Sequence, residues 1–317
     1  MADTLIGVKN IKKVFCSPKG DVRAVDGVSL RIRRGETLGL VGESGSGKST
    51  VGRLITRLVR PTSGKILYCG RDITRLGERQ FRDLRKDMQI VFQNPNTALD
   101  PKRSVRDLIA EPLLIHRIVP RHEIDREICR LLTMVGLPQA VMTKMPREFS
   151  GGEKQRICIA RALSVGPRFL FLDEPVSSLD VSVQSKILNL LEDLKQELSL
   201  TYLLVAHGLN VVRHISDRVA VMYLGQIQEI GDTEELYEDP RHPYTQALIS
   251  SFPEPDMDAR RKRIVLAGEI PSNTDGIQGC VFHTRCPYVR DICRRQAPEI
   301  KMRGGRMIRC HGTGDAI

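Results

Sequence analysis

Glu36-Thr37-Leu38-Gly39-Leu40-Val41-Gly42-Glu43-Ser44-Gly45-Ser46-Gly47-Lys48-Ser49-Thr50 is the stretch that decides the fold. Its first part is an apolar run with the look of a buried strand. Glycines then alternate with small hydroxyl residues and end at Lys-Ser-Thr. Beyond it, Val51, Leu54, Ile55, Leu58 and Val59 recur at helical spacing, and Pro61 ends the helix. Strand, glycine loop and helix are the context in which a phosphate-binding loop is credible. Glycines 42, 45 and 47 let the backbone turn its N–H groups toward an anion, and the positive end of the helix dipole points the same way. Lys48 is expected to reach the β- and γ-phosphates of a nucleotide, and the Ser49 hydroxyl to bind Mg²⁺. The alternative is a tight strand–helix turn with no ligand, which the full nine-residue match at 42–50 disfavours.

Three further stretches follow in order. The first is Phe149-Ser150-Gly151-Gly152-Glu153-Lys154-Gln155-Arg156. Phe169-Leu170-Phe171-Leu172-Asp173-Glu174 is an apolar strand ending in two carboxylates, where a charge is costly unless it holds a cation or meets donors. Ser177-Ser178-Leu179-Asp180 and a lone His207 after the strand Tyr202–Ala206 complete the set. A phosphate loop alone is shared by many nucleotide enzymes. The loop with these stretches, in this order, resembles the ATP-binding cassette (ABC) ATPases.

That resemblance implies an α/β fold: a P-loop cassette with an antiparallel β subdomain, an inserted helical subdomain at about 94–150 and an irregular Cys-containing C-terminal extension. It implies ATP and Mg²⁺ as ligands. Gly42, Glu43, Ser44, Gly45, Ser46, Gly47, Lys48, Ser49 and Thr50 would hold the phosphates. Ser49, Gln93 and Asp173 would serve Mg²⁺. Glu174 would polarise the attacking water as general base, with His207 and Gln93 positioned around it. Phe15 would stack on adenine. Ser150, Gly151, Gly152, Gln155 and Asp180 would meet ATP on a second, facing cassette, by the same helix-dipole physics. One chain carries one set of motifs, so a paralogue or a second copy must complete the site. Gly208 stands where many relatives carry Asp, a departure that bears on contacts across that dimer.

The segments Gln93-Asn94-Pro95-Asn96-Thr97-Ala98-Leu99-Asp100-Pro101, Ala24-Val25-Asp26-Gly27-Val28-Ser29 and His242-Pro243-Tyr244-Thr245 resemble the oligopeptide/dipeptide importer ATPases, and Gln93-Asn94-Pro95 their F-type subunit. The implied division is a cassette at 1–240 and an extension at 241–317. The implied partners are the second ATP-binding subunit, two transmembrane permease subunits and an extracytoplasmic substrate-binding protein. The implied place is the cytoplasmic face of the inner membrane, and the implied activity is ATP hydrolysis powering peptide import.

The chain has eight cysteines. Cys16, Cys69, Cys129 and Cys158 are scattered and read as small buried residues. Cys280, Cys286, Cys293 and Cys310 crowd the last forty residues. Their spacing is looser than the close pairs of structural zinc sites. It suits an iron–sulfur cluster at least as well, and the family's extension is understood to carry a [4Fe-4S] cluster on such a quartet. Zinc, reduced thiols, and His283 or His311 as alternate ligands stay open.

Composition sets the outer bounds. At 317 residues, 41% hydrophobic and 27% charged, the chain suits a globular domain with an appendage. No run approaches the length of a membrane span, and the N-terminus has no secretory pattern. The net charge of +11 raises the thought of nucleic acid, but basic residues are spread along the chain. The densest tract, Arg260-Arg261-Lys262-Arg263, has no interleaved aromatics, and Trp is absent. The rival reading, a soluble cassette working on DNA or ribosomes, lacks the coiled coils, Cys-x-x-Cys fingers or fused second cassette it would need. A degenerate regulatory cassette is disfavoured by Lys48, Asp173, Glu174 and His207. Import of a nickel chelate, glutathione or oligosaccharide would fit the same branch.

Overall fold

The apolar run before the glycine loop forms the strand Thr37–Val41, buried at every residue. This is a computed structural model describing residues 3–18, 20–206, 208–251, 264–266, 268, 271 and 276–312. The chain divides into two compact units, one of residues 1–32, 37–74 and 207–317, the other of 33–36 and 75–206.

The first unit holds an antiparallel sheet in the order Val22–Arg33, Thr4–Phe15, Ser63–Tyr68, Arg71–Asp72. Ile6 lies opposite Tyr68 and Val8 opposite Ile66. The sheet is the antiparallel β part that the family resemblance implies, and its first two strands run 12 residues each. Ladder pairing carries them through polar positions such as Lys9 and Lys12.

A second sheet in the same unit runs Ile300–Arg303, Arg306–Arg309, Gln226–Asp232, Arg218–Tyr223, Thr37–Val41. Arg218–Tyr223 is parallel to Thr37–Val41, and the remaining pairs are antiparallel. The outer hairpin turns through Gly304 and Gly305, both at positive φ, as a two-residue turn requires. The C-terminal extension therefore adds two strands to this sheet. Adjacent glycines between two apolar-containing runs are the sequence signal for that hairpin.

In the second unit Phe169–Asp173 is the middle of three parallel strands, between Met88–Val91 and Thr201–Val205. Phe169–Asp173 and Thr201–Val205 are buried throughout, as strands of a parallel sheet covered on both faces are. The region expected to be helical contains Pro95–Ala98, Val105–His116 and Ile124–Met134. Gly151–Leu163 and Val181–Leu198 follow. In Val181–Leu198 the buried stripe is Ile187, Leu188, Leu191 and Leu194, while Leu198 is exposed at the helix end.

Of the four scattered cysteines only Cys158 is buried. Cys69 is exposed because it forms, with Gly70, the turn between two strands, at φ 49. Cys16 is exposed just past the end of Thr4–Phe15. The basic tract 260–263 and most of residues 252–275 lie outside the described residues. Among the described residues no helix is long and apolar enough to cross a membrane.

Candidate nucleotide site and cysteine cavity

Backbone geometry makes the loop a glycine site. Gly42 has φ 150 and Gly47 has φ 100. A Cβ at Gly42 would lie 2.1 Å from the Met222 carbonyl oxygen, and one at Gly47 would lie 2.1 Å from that of Ala24, so no side chain fits. The helix Lys48–Ile55 begins at Gly47 without a side-chain cap. Its first-turn N–H groups are the kind that bind anions. Lys48 is 4% exposed. Its Nζ donates to the Gly42 and Glu43 carbonyls at 2.8 Å each and to Ser46 Oγ at 3.3 Å. A buried ammonium needs such acceptors, and here they hold it at the loop's own backbone. Ser49 and Thr50 are half-buried beside it, and Ser44 and Gly45 form the exposed tip.

In the other unit Asp173 ends the central strand, 3% exposed. Glu174 follows in the left-handed region, φ 51, and is 7% exposed. A buried non-glycine residue in that conformation is uncommon and carries a cost that functional sites often bear. Its N–H donates to the Val205 carbonyl at 2.9 Å. Gln93 Nε2 donates to Glu174 Oε2 at 2.6 Å and lies 3.5 Å from Ser177 Oγ. The fold thus joins Gln93 and Glu174, 81 positions apart in sequence. His207 lies outside the described residues. Gly208 precedes the helix Leu209–Ile215 as its N-cap.

The signature helix Gly151–Leu163 starts with a capping box. The Glu153 N–H donates to Ser150 Oγ at 3.4 Å, and the Ser150 N–H donates to Glu153 Oε2 at 2.9 Å. The Ser150 backbone N–H, then its hydroxyl, hold the Glu153 carboxyl below its ordinary range. Ser150 and Gly151 are exposed, Gly152 is buried, and Gln155 is 1% exposed on the inner face. Asp180 is exposed and caps Val181–Leu198, accepting from Ser182 Oγ at 2.7 Å and the Val183 N–H at 2.9 Å. Those bonds keep its pKa low. Phe15 is exposed with the Lys13 ammonium 4.9 Å from its ring centroid.

The C-terminal cysteines come together. Cys280, Cys286, Cys293 and Cys310 line one cavity of about 210 Å³ with His283 and His311. Burial pushes the Cys280 thiol up to about 11, with the three other thiols adding to it, and raises Cys286 and Cys310 as well. Among the described residues no three His, Cys, Asp or Glu side chains converge closely enough to hold one metal ion. His242 also lines the cavity and caps the helix Pro243–Ser250, its Nδ1 accepting from the Tyr244 N–H at 3.0 Å. Complete burial drives its pKa down to about 3.

Two contacts on the loop have no signal in the phosphate-loop motif. The Glu43 N–H donates to Tyr244 Oη at 2.9 Å, and the Glu43 carboxylate pairs with Arg285. Tyr244 is marked in the sequence by its His-Pro-Tyr setting, but nothing there shows what it touches. Arg285 is one arginine among many.

The model of the ABC transporter family matches residues 25–177. The model described as "Oligopeptide/dipeptide transporter, C-terminal region" matches residues 228–293. The oligopeptide transport ATP-binding protein AppF of Bacillus subtilis is 48% identical over 98% of this chain and 97% of its own length. The di/tripeptide transport ATP-binding protein DppF of Pseudomonas aeruginosa is 43% identical over 92% and 90%. Among solved structures, the cassette MJ0796 in a post-hydrolysis dimer with ADP and Pi superposes with a TM-score of 0.66 at 29% identity, covering 72% of this chain and 98% of that one. Fold and motifs define an ATP-binding cassette. The chain belongs to the ABC transporter ATP-binding subunits of the oligopeptide/dipeptide importer family, and the F-type expectation agrees with the names of these two relatives.

Proposed function

We propose that this chain is the ATP-hydrolysing subunit that powers import of peptides through partner permease subunits. The observation that carries the chemistry is the Gln93–Glu174 hydrogen bond, with Glu174 on a left-handed backbone directly after the buried Asp173. In this reading Gly42 to Thr50 cradle the phosphates, with Lys48 as the cation. Ser49, Asp173 and Gln93 would hold Mg²⁺, which offsets phosphate charge when bound. Glu174 takes the proton of the attacking water, and Gln93 holds the carboxylate in place until that step. His207 would stand beside the water, and Phe15 would face adenine.

Ser150, Gly151, Gly152 and Asp180 are exposed or at a helix start, as a surface meeting a second cassette requires; Gln155 would support that helix from within. The partners are that second subunit, a paralogue or a copy, two permeases and an extracytoplasmic binding protein. The place is the cytoplasmic face of the membrane. Residues 1–240 would be the cassette and 241–317 the extension; the C-terminal family match spans 228–293 and so begins before that division.

For the cysteine cavity we propose a [4Fe-4S] cluster on Cys280, Cys286, Cys293 and Cys310. What supports this reading is four thiols lining one cavity, the ligand type and number that such a cluster takes. The group would be structural, and no step of hydrolysis passes through it.

Glu174→Gln tests the central reading. The variant is expected to bind ATP with wild-type affinity and to lose hydrolysis, together with uptake of labelled peptide by cells that depend on this subunit. Hydrolysis persisting at the wild-type rate would remove Glu174 from the role of base.

A further inference from the structure

Arg285 lies between two of the cavity's cysteines, yet its guanidinium serves the phosphate loop. Nη1 donates to Glu43 Oε2 at 2.7 Å and Nη2 to Glu43 Oε1 at 3.2 Å. Its side chain is 8% exposed and that of Glu43 26%. Two parallel bonds of this kind fix orientation as well as charge. The same Glu43 gives its N–H to Tyr244 Oη at 2.9 Å and its carbonyl to Lys48 Nζ at 2.8 Å. Every polar group of Glu43 is therefore engaged, two of them by the C-terminal extension. Behind the contact the rings of Tyr223, Tyr244 and Phe282 pack together, with centroids 4.7 to 5.3 Å apart. Phe282 comes from the same Cys280–Cys286 segment as Arg285.

Two physical consequences follow. A carboxylate in a loop that receives a polyphosphate opposes binding unless a cation offsets it. A loop of glycines, with an exposed tip at Ser44 and Gly45, loses conformational freedom on binding, and bracing it beforehand reduces that cost. We propose that Arg285 and Tyr244 are positioning residues for ATP. They neutralise and fix Glu43, so the cysteine-bearing extension sets the nucleotide affinity of the cassette. The proposal rests on the reading of residues 42–50 as the ATP site.

The test is equilibrium binding of the methylanthraniloyl fluorescent derivative of ATP, with Mg²⁺, to the full chain. Arg285→Ala is expected to raise Kd about tenfold. Adding Glu43→Gln to Arg285→Ala is expected to recover most of that loss, because the offending charge is gone. A purely structural role for Arg285 predicts no such rescue. Tyr244→Phe is expected to raise Kd about threefold, within the span of one lost neutral hydrogen bond. If Arg285→Ala does not fold, as judged by its thermal melt, Arg285→Lys carries the test with a smaller loss and the same rescue by Glu43→Gln. A Kd within about twofold of wild type for the folded Arg285 variants, or losses that simply add in the double variant, would overturn the proposal. Lys48→Ala separates the two failures: undiminished binding in that variant would overturn the ATP-site reading itself.

Discussion

At the scale of single residues, chemistry depends on neighbours that the residue type does not announce. His242 is the clearest case. It is completely buried, and its pKa falls from the ordinary 6.5 to about 3 because burial disfavours the imidazolium. The unfolded chain takes up a proton near 6.5 that the folded chain refuses. The folded state therefore holds its full advantage above that pH and loses it progressively as pH falls from 6.5 toward 3. Between pH 7.5 and pH 5 the loss amounts to about 2 kcal/mol. His242→Asn keeps a side-chain acceptor at the helix start and removes the titration. Urea unfolding at the two pH values is expected to show the wild type losing about 2 kcal/mol more than the variant over that interval. Equal losses would mean that His242 is not held neutral in the folded protein.

At the scale of elements, much of the site was legible because local physics and motif agreed. The glycines at 42 and 47 face backbone oxygens that no Cβ could share, and a strand–loop–helix pattern announces that need. The Phe169–Asp173 strand was legible for a similar reason: an unbroken apolar run ending in a carboxylate has few other homes. What was not legible came from long-range pairing. Gln93 beside Glu174 is expected through the family resemblance alone, and no spacing rule puts Glu174 in the left-handed region or sets Arg285 against Glu43; those follow from the packing of elements remote in sequence. Ser150 lies between the two cases, since its capping box with Glu153 is visible as Ser-x-x-Glu. Ser150→Ala should destabilise the chain by about 1 kcal/mol, as loss of an N-cap does, and Ser150→Asp should restore most of that stability in thermal unfolding. ATP hydrolysis is expected to divide the two effects. If Ser150 also faces ATP on a second cassette, the Asp variant regains stability but not activity, because its carboxylate would oppose the γ-phosphate. Recovery of both would confine Ser150 to capping.

At the scale of the whole molecule, the extension is built into the first unit rather than trailing from it. Its last strand pairs with Gln226–Asp232, placing Glu229 opposite Ile308. The pairing is locked by a buried ion pair. Arg306 Nη2 donates to Glu229 Oε1 at 2.6 Å, with the Glu229 side chain fully buried. Glu229 also accepts the N–H groups of Arg241 and His242 at 3.1 and 2.9 Å, and Arg306 donates to the Asp239 carbonyl at 2.8 Å. One carboxylate thus ties the hairpin, the sheet and the entry to the helix that carries Tyr244. Removing one partner of such a pair leaves an uncompensated buried charge, at a cost of about 3–5 kcal/mol. Neutralising the remaining carboxylate while keeping an acceptor for the Arg241 and His242 N–H groups costs less. Arg306→Ala is therefore expected to lower the urea midpoint sharply, and adding Glu229→Gln to recover part of that loss. Tyr244 and Arg285 reach Glu43 from this same extension, so Arg306→Ala should also weaken ATP binding while the cassette is still folded. Nucleotide affinity that stays at its wild-type value as the hairpin loosens would show that the brace on the phosphate loop does not depend on the sheet edge.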